Sequence, residues 1–336
     1  MGRQRTITMK DVARQAGVSQ ATVSYVINNT SGENIPAETR ERVLAAVRDL
    51  GYRPNNAARN MRTQRSNFIG FITDLIAVTP HAGAIIKGAQ DAARVHGQTL
   101  LLVNTDGVPE VENTAIETML EYRVAGIIYA TMWHRLATPP ENLSEAPAVL
   151  LDCFSPNPAF SSVVPDEVGG GRAATQVLLR KGHRRIGFIN NSEPVPATLG
   201  RLAGYQQALA EYGLPFDSDL IRTGLSDSRG GYDAALDLMR QPERPTALFC
   251  YNDRMAMGAY DAVRKLGLSI PEDVGVIGFD NEEIIAAALH PGLSTMQLPH
   301  YQMGEWAVQH LLGESPEGGR PVQKIMDCPH VARESV

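Results

Sequence analysis

MKDVARQAGVSQATVSYVINN, residues 9–29, is the stretch whose reading decides the architecture of this 336-residue chain. Met9, Val12, Ala13 and Ala16 recur at helical spacing, and Gly17 stands where such a helix would end. Ser19 offers an N-cap for a second helix carrying Thr22, Val23, Val26 and Ile27. A third helix follows Pro36, with Val43, Ala46, Val47 and Leu50 on one face and Gly51 as its stop. Two short helices joined at a tight glycine turn, in a basic surround, have the pattern of a helix-turn-helix, whose second helix lies in the major groove of DNA.

The charge distribution agrees. The net charge of −6 conceals a division: residues 1–65 hold eleven Lys/Arg and five Asp/Glu, a surplus of +6, which leaves −12 for residues 66–336. Such asymmetry suggests a nucleic-acid module joined to a body that avoids phosphate. With 43% hydrophobic and 20% charged residues the chain can bury sizeable cores and is not a disordered one. No apolar run approaches the roughly 18 residues of a membrane span. The first residues lack the apolar segment of a secretory signal. Cys153, Cys250 and Cys328 are widely spaced without a CxxC, and the eight His show no ligand spacing, so neither a disulfide framework, a metal nor a cofactor is expected. The expected setting is the reducing cytoplasm, in association with the nucleoid.

From Phe68 onward apolar strands alternate with amphipathic helices. The candidate strands are 68–72, 99–103, 126–130, 148–152, 185–189, 247–251, 275–280 and 294–298. The candidate helices are 83–96, 110–122, 167–181, 199–212, 231–240, 253–266 and 300–312. Strands that are apolar throughout imply parallel sheets covered on both faces, and about 270 residues of this pattern suggest two lobes. Ligands of such folds bind beyond the carboxyl ends of the strands.

The run 9–29, together with IPAETRERVLAAVRDLGYRPNNAARNMR (35–62), resembles the LacI/GalR family of bacterial transcription regulators. The likeness continues in the body through VVPDEVGGGRAATQVLLRKGHRRIGFI (163–189). It implies a small all-α helix-turn-helix head over 1–52, a hinge helix or linker over 53–65 and an α/β body over 66–336. The body would be two doubly wound parallel-sheet lobes, periplasmic-binding-protein-like. Its N-lobe would take about 66–163 plus 299–323, and its C-lobe about 164–298 plus 324–336.

In the head, Gln20 and Ala21 open the recognition helix and Tyr25 adjoins them; Gln pairs with adenine and Ala touches a thymine methyl. Ser19, Thr22, Ser24 and Asn28 are short polar groups suited to phosphate, and Thr8 joins them. The family's hinge implies DNA contacts from Asn55, Ala58, Met61 and Arg62, with Met61 as the apolar wedge in the minor groove.

In the body, Arg201 corresponds to an arginine that grips the ligand in many family members. Asp152, Asn252 and Asp280 lie at the ends of apolar strands, where a ring of donors and acceptors suits sugar hydroxyls. Trp133, Phe154 and His300 offer flat faces to a pyranose. His81 stands where an aromatic is common in the family, and MQLP (296–299) puts Leu298 where a Gln often meets the ligand. Asp166 and Asp253 are expected to be helix N-caps. Gly169–Gly171 lacks the GxGxxG order and is expected to lie ahead of, not within, a strand-to-helix turn, which argues against a dinucleotide site. No Ser–His–Asp elbow or phosphate loop points to an enzyme.

The expectation is therefore a non-enzymatic repressor that binds a pseudo-palindromic operator as a homodimer. A small molecule in the interlobe cleft would control it, a sugar first and a nucleobase or nucleoside second. No apolar heptad for a tetramer follows Leu312. The rival classes are a solute-binding protein of a transport system, which requires an export signal, and a sugar- or nucleotide-using enzyme.

Overall fold

Apolar residues at helical spacing build the head. The computed structural model describes residues 7–28, 35–52, 66–79, 83–316 and 321–336, and these fall into two units, Met1–Ser66 and Asn67–Val336. In the first, α1 (Met9–Ala16), α2 (Gln20–Asn28) and α3 (Ala37–Leu50) enclose Val12, Ala13, Ala16, Val23, Val26, Val43, Ala46 and Tyr52. α1 ends at Gly17 with φ 67°, a left-handed conformation that costs glycine nothing.

The second unit holds two six-stranded sheets. The N-lobe contains β1 (Phe68–Thr73), α4 (Gly83–Val95), β2 (Thr99–Asn104), α5 (Pro109–Glu121), β3 (Ile127–Leu136), β4 (Ala148–Phe154) and β5 (Ser161–Pro165). The C-lobe follows with α6 (Glu167–Arg180), β6 (Ile186–Asn191), α7 (Pro196–Glu211), β7 (Ile221–Gly224), α8 (Ser228–Met239), β8 (Ala247–Cys250), α9 (Asp253–Lys265), β9 (Gly275–Asp280), the short α10 (Glu283–Ala286) and β10 (Ser294–Gln297). The chain then returns to the N-lobe as α11 (His300–Leu311) and β11 (Gln323–Met326), and ends in the C-lobe with β12 (His330–Val331). The strand orders are β11-β5-β4-β3-β1-β2 and β12-β10-β9-β8-β6-β7. The strand pairs are parallel except β10–β12.

Each sheet is covered on both faces, which is why its central strands read as unbroken apolar runs. In the C-lobe Phe188 stacks on Tyr205 (centroids 5.4 Å apart) and Phe249 (4.6 Å). Each such ring, fully buried, contributes roughly 1.5–3 kcal/mol by leaving water. α11 is held on α4 by a close crossing: a Cβ at Gly304 would lie 2.1 Å from the Ile85 carbonyl oxygen, and one at Gly88 2.0 Å from that of Tyr301.

The structure differs from the sequence reading in four respects. β5 and β11 carry the N-lobe sheet through Pro165 and Met326, so the chain changes lobes there and not at 163/164 and 323/324. Gly169–Gly171 does lie just beyond a strand, in the first turns of α6, contrary to the expected placement. Gly170 and Gly171 are packing glycines: a Cβ at Gly170 would meet the Phe279 ring at 2.6 Å, and one at Gly171 the Arg201 backbone at 2.5 Å. β3 runs well past residue 130, with a register shift against β4 between Ala130 and Arg135. Four strands, β5, β7, β11 and β12, escape the sequence pattern because they are short and, apart from β5, half-exposed.

Among the described residues no helix is long and apolar enough to cross a membrane, and no group of three or more His, Cys, Asp or Glu is arranged to hold a metal.

Candidate functional site

The carboxyl ends of both parallel sheets converge on one cleft, as the topology of doubly wound sheets requires. It holds a cavity of about 120 Å³. From the N-lobe come Trp133 and His134 on the irregular part of β3, and Asp152 on β4. A bulge of this kind re-aims side chains at a strand end. From the C-lobe come Asn191 at the end of β6, Arg201 on α7, Tyr251 and Asn252 after β8, and Asp280 at the end of β9. The crossover segments add Glu167, Leu298 and His300.

Arg201 is the hub. It is 3% exposed, its Nε donates to Glu167 Oε2 at 2.8 Å, and one terminal nitrogen donates to the Tyr251 carbonyl. That nitrogen also lies 3.5 Å from Asp280 Oδ1. The guanidinium stands 3.7 Å from the Phe279 ring centroid and 4.5 Å from that of Tyr251. Burial opposes its charge, but Glu167 and Asp280 outweigh burial and hold it protonated more firmly than an ordinary arginine. Burial pushes Glu167 up, yet Arg201 and a nearby His134 overcome it and leave the carboxyl below the usual glutamate range. His134 Nδ1 lies 3.7 Å from Glu167 Oε1, across the two lobes and beyond hydrogen-bond reach.

Asp152 is the opposite case. It is 3% exposed, its Oδ1 has no hydrogen-bond partner among the described residues, and its backbone sits at φ 56°. Burial pushes its pKa up to about 7; Glu167 and Asp280 add to this, while His134 and Arg201 oppose it. Asp280 also has a left-handed backbone, at φ 104°, followed by Asn281 at φ 51°. Non-glycine residues persist in that region only where their surroundings hold them. Here the holding groups are visible: Asp253 accepts from Glu282 N–H (2.7 Å) and Thr295 O–H (2.6 Å), while Arg333 donates to Asn281 (2.8 Å).

Of the residues expected in the cleft, Trp133, Asp152, Arg201, Asn252, Asp280 and His300 line it together. Trp133 is half-exposed, and His300 is buried. Phe154 does not line the cleft; it packs edge-on against His134, with centroids 5.6 Å apart, so it positions a cleft residue. Asn252 lines the cleft as expected and also takes the capping part expected of Asp253. Asn252 Oδ1 caps α9 by accepting from Met255 N–H at 2.8 Å, and the expected cap Asp253 is fully buried beneath the Asp280 turn. Asp166 does cap α6, accepting from Gly169 N–H at 2.8 Å. Glu167, His134, Tyr251 and Arg254 escaped the sequence reading: Glu167 and His134 hold crossover and bulge positions that follow no strand-end rule, Tyr251 closes the apolar run 247–251, and Arg254 lies on α9. Arg254 is held by Glu282 at 2.9 and 3.3 Å.

In the head, α2 turns Val23 and Val26 inward and exposes Gln20, Ala21 and Tyr25. The Ser19 hydroxyl caps α2, accepting from Thr22 N–H at 3.1 Å, and bonds the Thr22 hydroxyl at 2.9 Å. Ser24 is half-buried. Thr8 starts α1, its N–H and hydroxyl bound by the Asp11 carboxylate at 3.0 and 2.7 Å. The Asn28 side chain, Asn55, Ala58, Met61, Arg62 and His81 lie outside the described residues.

Residues 69–326 match the family of periplasmic binding proteins and sugar binding domain of the LacI family. Residues 8–55 match bacterial regulatory proteins of the lacI family. The chain belongs to the LacI family. It is 37% identical to the HTH-type transcriptional regulator GalS of Salmonella typhimurium, over 90% of this chain and 88% of that one. It is 35% identical to the ribose operon repressor of Escherichia coli, over 91% and 92%. A structure of the Lac repressor dimer bound to operator and the anti-inducer ONPF superposes with TM-score 0.77 at 26% identity, over 98% and 99%. These relatives are LacI-family transcription regulators, not enzymes, and the chain is a LacI-family DNA-binding transcriptional repressor with an effector-binding domain.

Proposed function

We propose that the protein binds a pseudo-palindromic operator as a homodimer and that a small neutral sugar in the interlobe cleft sets its affinity for DNA. It acts on chromosomal DNA in the cytoplasm. Gln20, Ala21 and Tyr25 read base edges, Ser19, Thr22, Ser24, Asn28 and Thr8 meet phosphate, and Asn55, Ala58, Met61 and Arg62 engage the operator centre. Asp152, Asp280 and Arg201 bind hydroxyls, Trp133 covers a ring face, His300 and Asn252 close the wall, and His81 is a further effector contact.

The observation that carries the reading is the cleft itself: buried carboxylates and a guanidinium from both lobes converge beside a half-exposed Trp133. A ligand that touches both lobes binds their two arrangements unequally, and that difference is what couples the cleft to the head. The test is footprinting on native DNA with and without sugars identified by a thermal-shift screen. A salt-sensitive palindromic site whose occupancy changes with the sugar is the expected result. No such site, or one indifferent to every ligand that binds, refutes the proposal.

A further inference from the structure

The turn that carries Asp280 into the cleft is held from outside it. Asp280 and Asn281 follow one another at φ 104° and φ 51°, and neither is a glycine. Left to itself such a turn relaxes and takes the carboxylate with it. Two arms oppose this. From beneath, Asp253 accepts from the Glu282 N–H and the Thr295 hydroxyl. From the side, the Asn281 amide is gripped at both ends: its Oδ1 accepts from Arg333 at 2.8 Å, and its Nδ2 donates to Gln297 Oε1 at 3.1 Å.

Arg333 lies 52 positions from Asn281 in the chain, beyond β12, and does not line the cleft. Its backbone is fixed beside β10: its N–H donates to Ser294 Oγ at 3.0 Å, and that hydroxyl donates to its carbonyl at 3.1 Å. The buried Ser335 ties the same segment to both strands, accepting from Ser294 N–H at 2.8 Å and donating to the Val276 carbonyl at 2.6 Å. The guanidinium directs one terminal nitrogen to the Leu293 carbonyl at 2.9 Å and the other to Asn281. A planar cation anchored at its stem and at one nitrogen presents the remaining donor in a fixed direction. Asp280 Oδ1 stands 3.5 Å from an Arg201 nitrogen, a loose tether that does not fix the carboxylate by itself.

On the effector reading above, we infer that Arg333 is a positioning residue of the cleft: through Asn281 it holds the Asp280 carboxylate where the ligand meets it, and so sets effector affinity without touching the effector. Binding groups displaced by more than about 0.5 Å lose their partners. Without Arg333, Asn281 leaves the left-handed region and Asp280, the residue before it, swings with it.

Isothermal titration of the full chain with D-glucose, D-galactose, D-ribose and cellobiose tests this, with operator binding in the absence of sugar as the control for folding. For a sugar that binds the unaltered protein, Arg333→Ala weakens binding about tenfold to a hundredfold, the loss of one hydrogen bond to a charged group. Asn281→Gly keeps the Arg333 bond to Leu293 but removes what the guanidinium grips on the turn, and it weakens the sugar to a similar degree. In the Asn281→Gly background Arg333→Ala then changes the affinity by less than about twofold, while still lowering the melting temperature. An arginine that merely supports the fold would weaken the sugar equally in both backgrounds; that result overturns the inference, as does an unchanged affinity in Asn281→Gly. If Arg333→Ala does not fold, Asn281→Gly decides alone. A crystal structure of either variant needs no ligand: Asp280 Oδ1 is expected to draw away from Arg201, and an unmoved turn overturns the part played by Arg333. If none of the four sugars binds the unaltered protein, the sugar reading falls and the crystal structure still decides whether Arg333 places Asp280.

Discussion

Replacing Arg201 with Met removes the guanidinium that lies against Tyr251 and Phe279 while keeping an unbranched apolar stem. Glu167, 5% exposed, is then left as a buried carboxylate without its counter-ion, and Asp280 loses its neighbour at 3.5 Å. Breaking one side of a buried pair costs about 3–5 kcal/mol, mostly through the charge left behind. The sign of the pH dependence follows. In the unaltered protein the Glu167 carboxyl lies below its ordinary value, so it contributes stability above the glutamate range that is lost as pH falls through it. In Arg201→Met burial acts on Glu167 with little opposition, its pKa rises, and the penalty grows as pH climbs. The gap between the two proteins is therefore small near pH 4 and widest near pH 8. Denaturant unfolding of the full chain at both pH values measures it, and Glu167→Gln in the same background restores a coupling energy of about 1–3 kcal/mol. A loss below about 1 kcal/mol at pH 8, or one equal at both pH values, refutes the reasoning. Losing effector response through Arg201→Ala is thus a poor test of ligand contact, and Asp280→Asn is the cleaner one.

Asp152→Asn has the reverse sign. Its folded pKa is raised, so its cost is absent below about pH 4 and complete above about 7. The variant's melting temperature should overtake that of the parent between pH 5 and 8, a gain on the order of a few kcal/mol; parallel curves would contradict the burial argument. Gly304→Ala should lower the melting temperature of the body through a loss of about 1–3 kcal/mol, because the new methyl meets the backbone of α4 and no flexible side chain can yield; an unchanged transition would show that the crossing is looser. Gln20→Ala should remove about 1–3 kcal/mol of discrimination at one operator position, read by competition among operator variants. A uniform loss across all sequences would instead mark Gln20 as a phosphate contact.

The sequence by itself determined what depends on local periodicity and on chemistry at element ends. The helix-turn-helix follows from apolar spacing and two left-handed glycines, and the central strands follow from runs that must be apolar on both faces. Asp152, Arg201 and Asp280 were legible because a polar residue closing an apolar strand, or an arginine at a family position, marks the edge where ligands bind. Tertiary structure alone decided the rest. Short strands such as β7 and β11 pair only because a neighbouring sheet offers its edge. Glu167 reaches Arg201 from a helix that begins at a lobe crossover, and His134 comes within 3.7 Å of Glu167 from a strand that bulges. Whether Asn252 or Asp253 caps α9 depends on which side chain the turn after β9 has already claimed. The state of each cleft carboxylate is likewise a matter of distance: Glu167 has a guanidinium at 2.8 Å, and Asp152 Oδ1 has no hydrogen-bond partner among the described residues. Periodicity records which face of an element leaves water. Which charges then meet there depends on elements far apart in the chain.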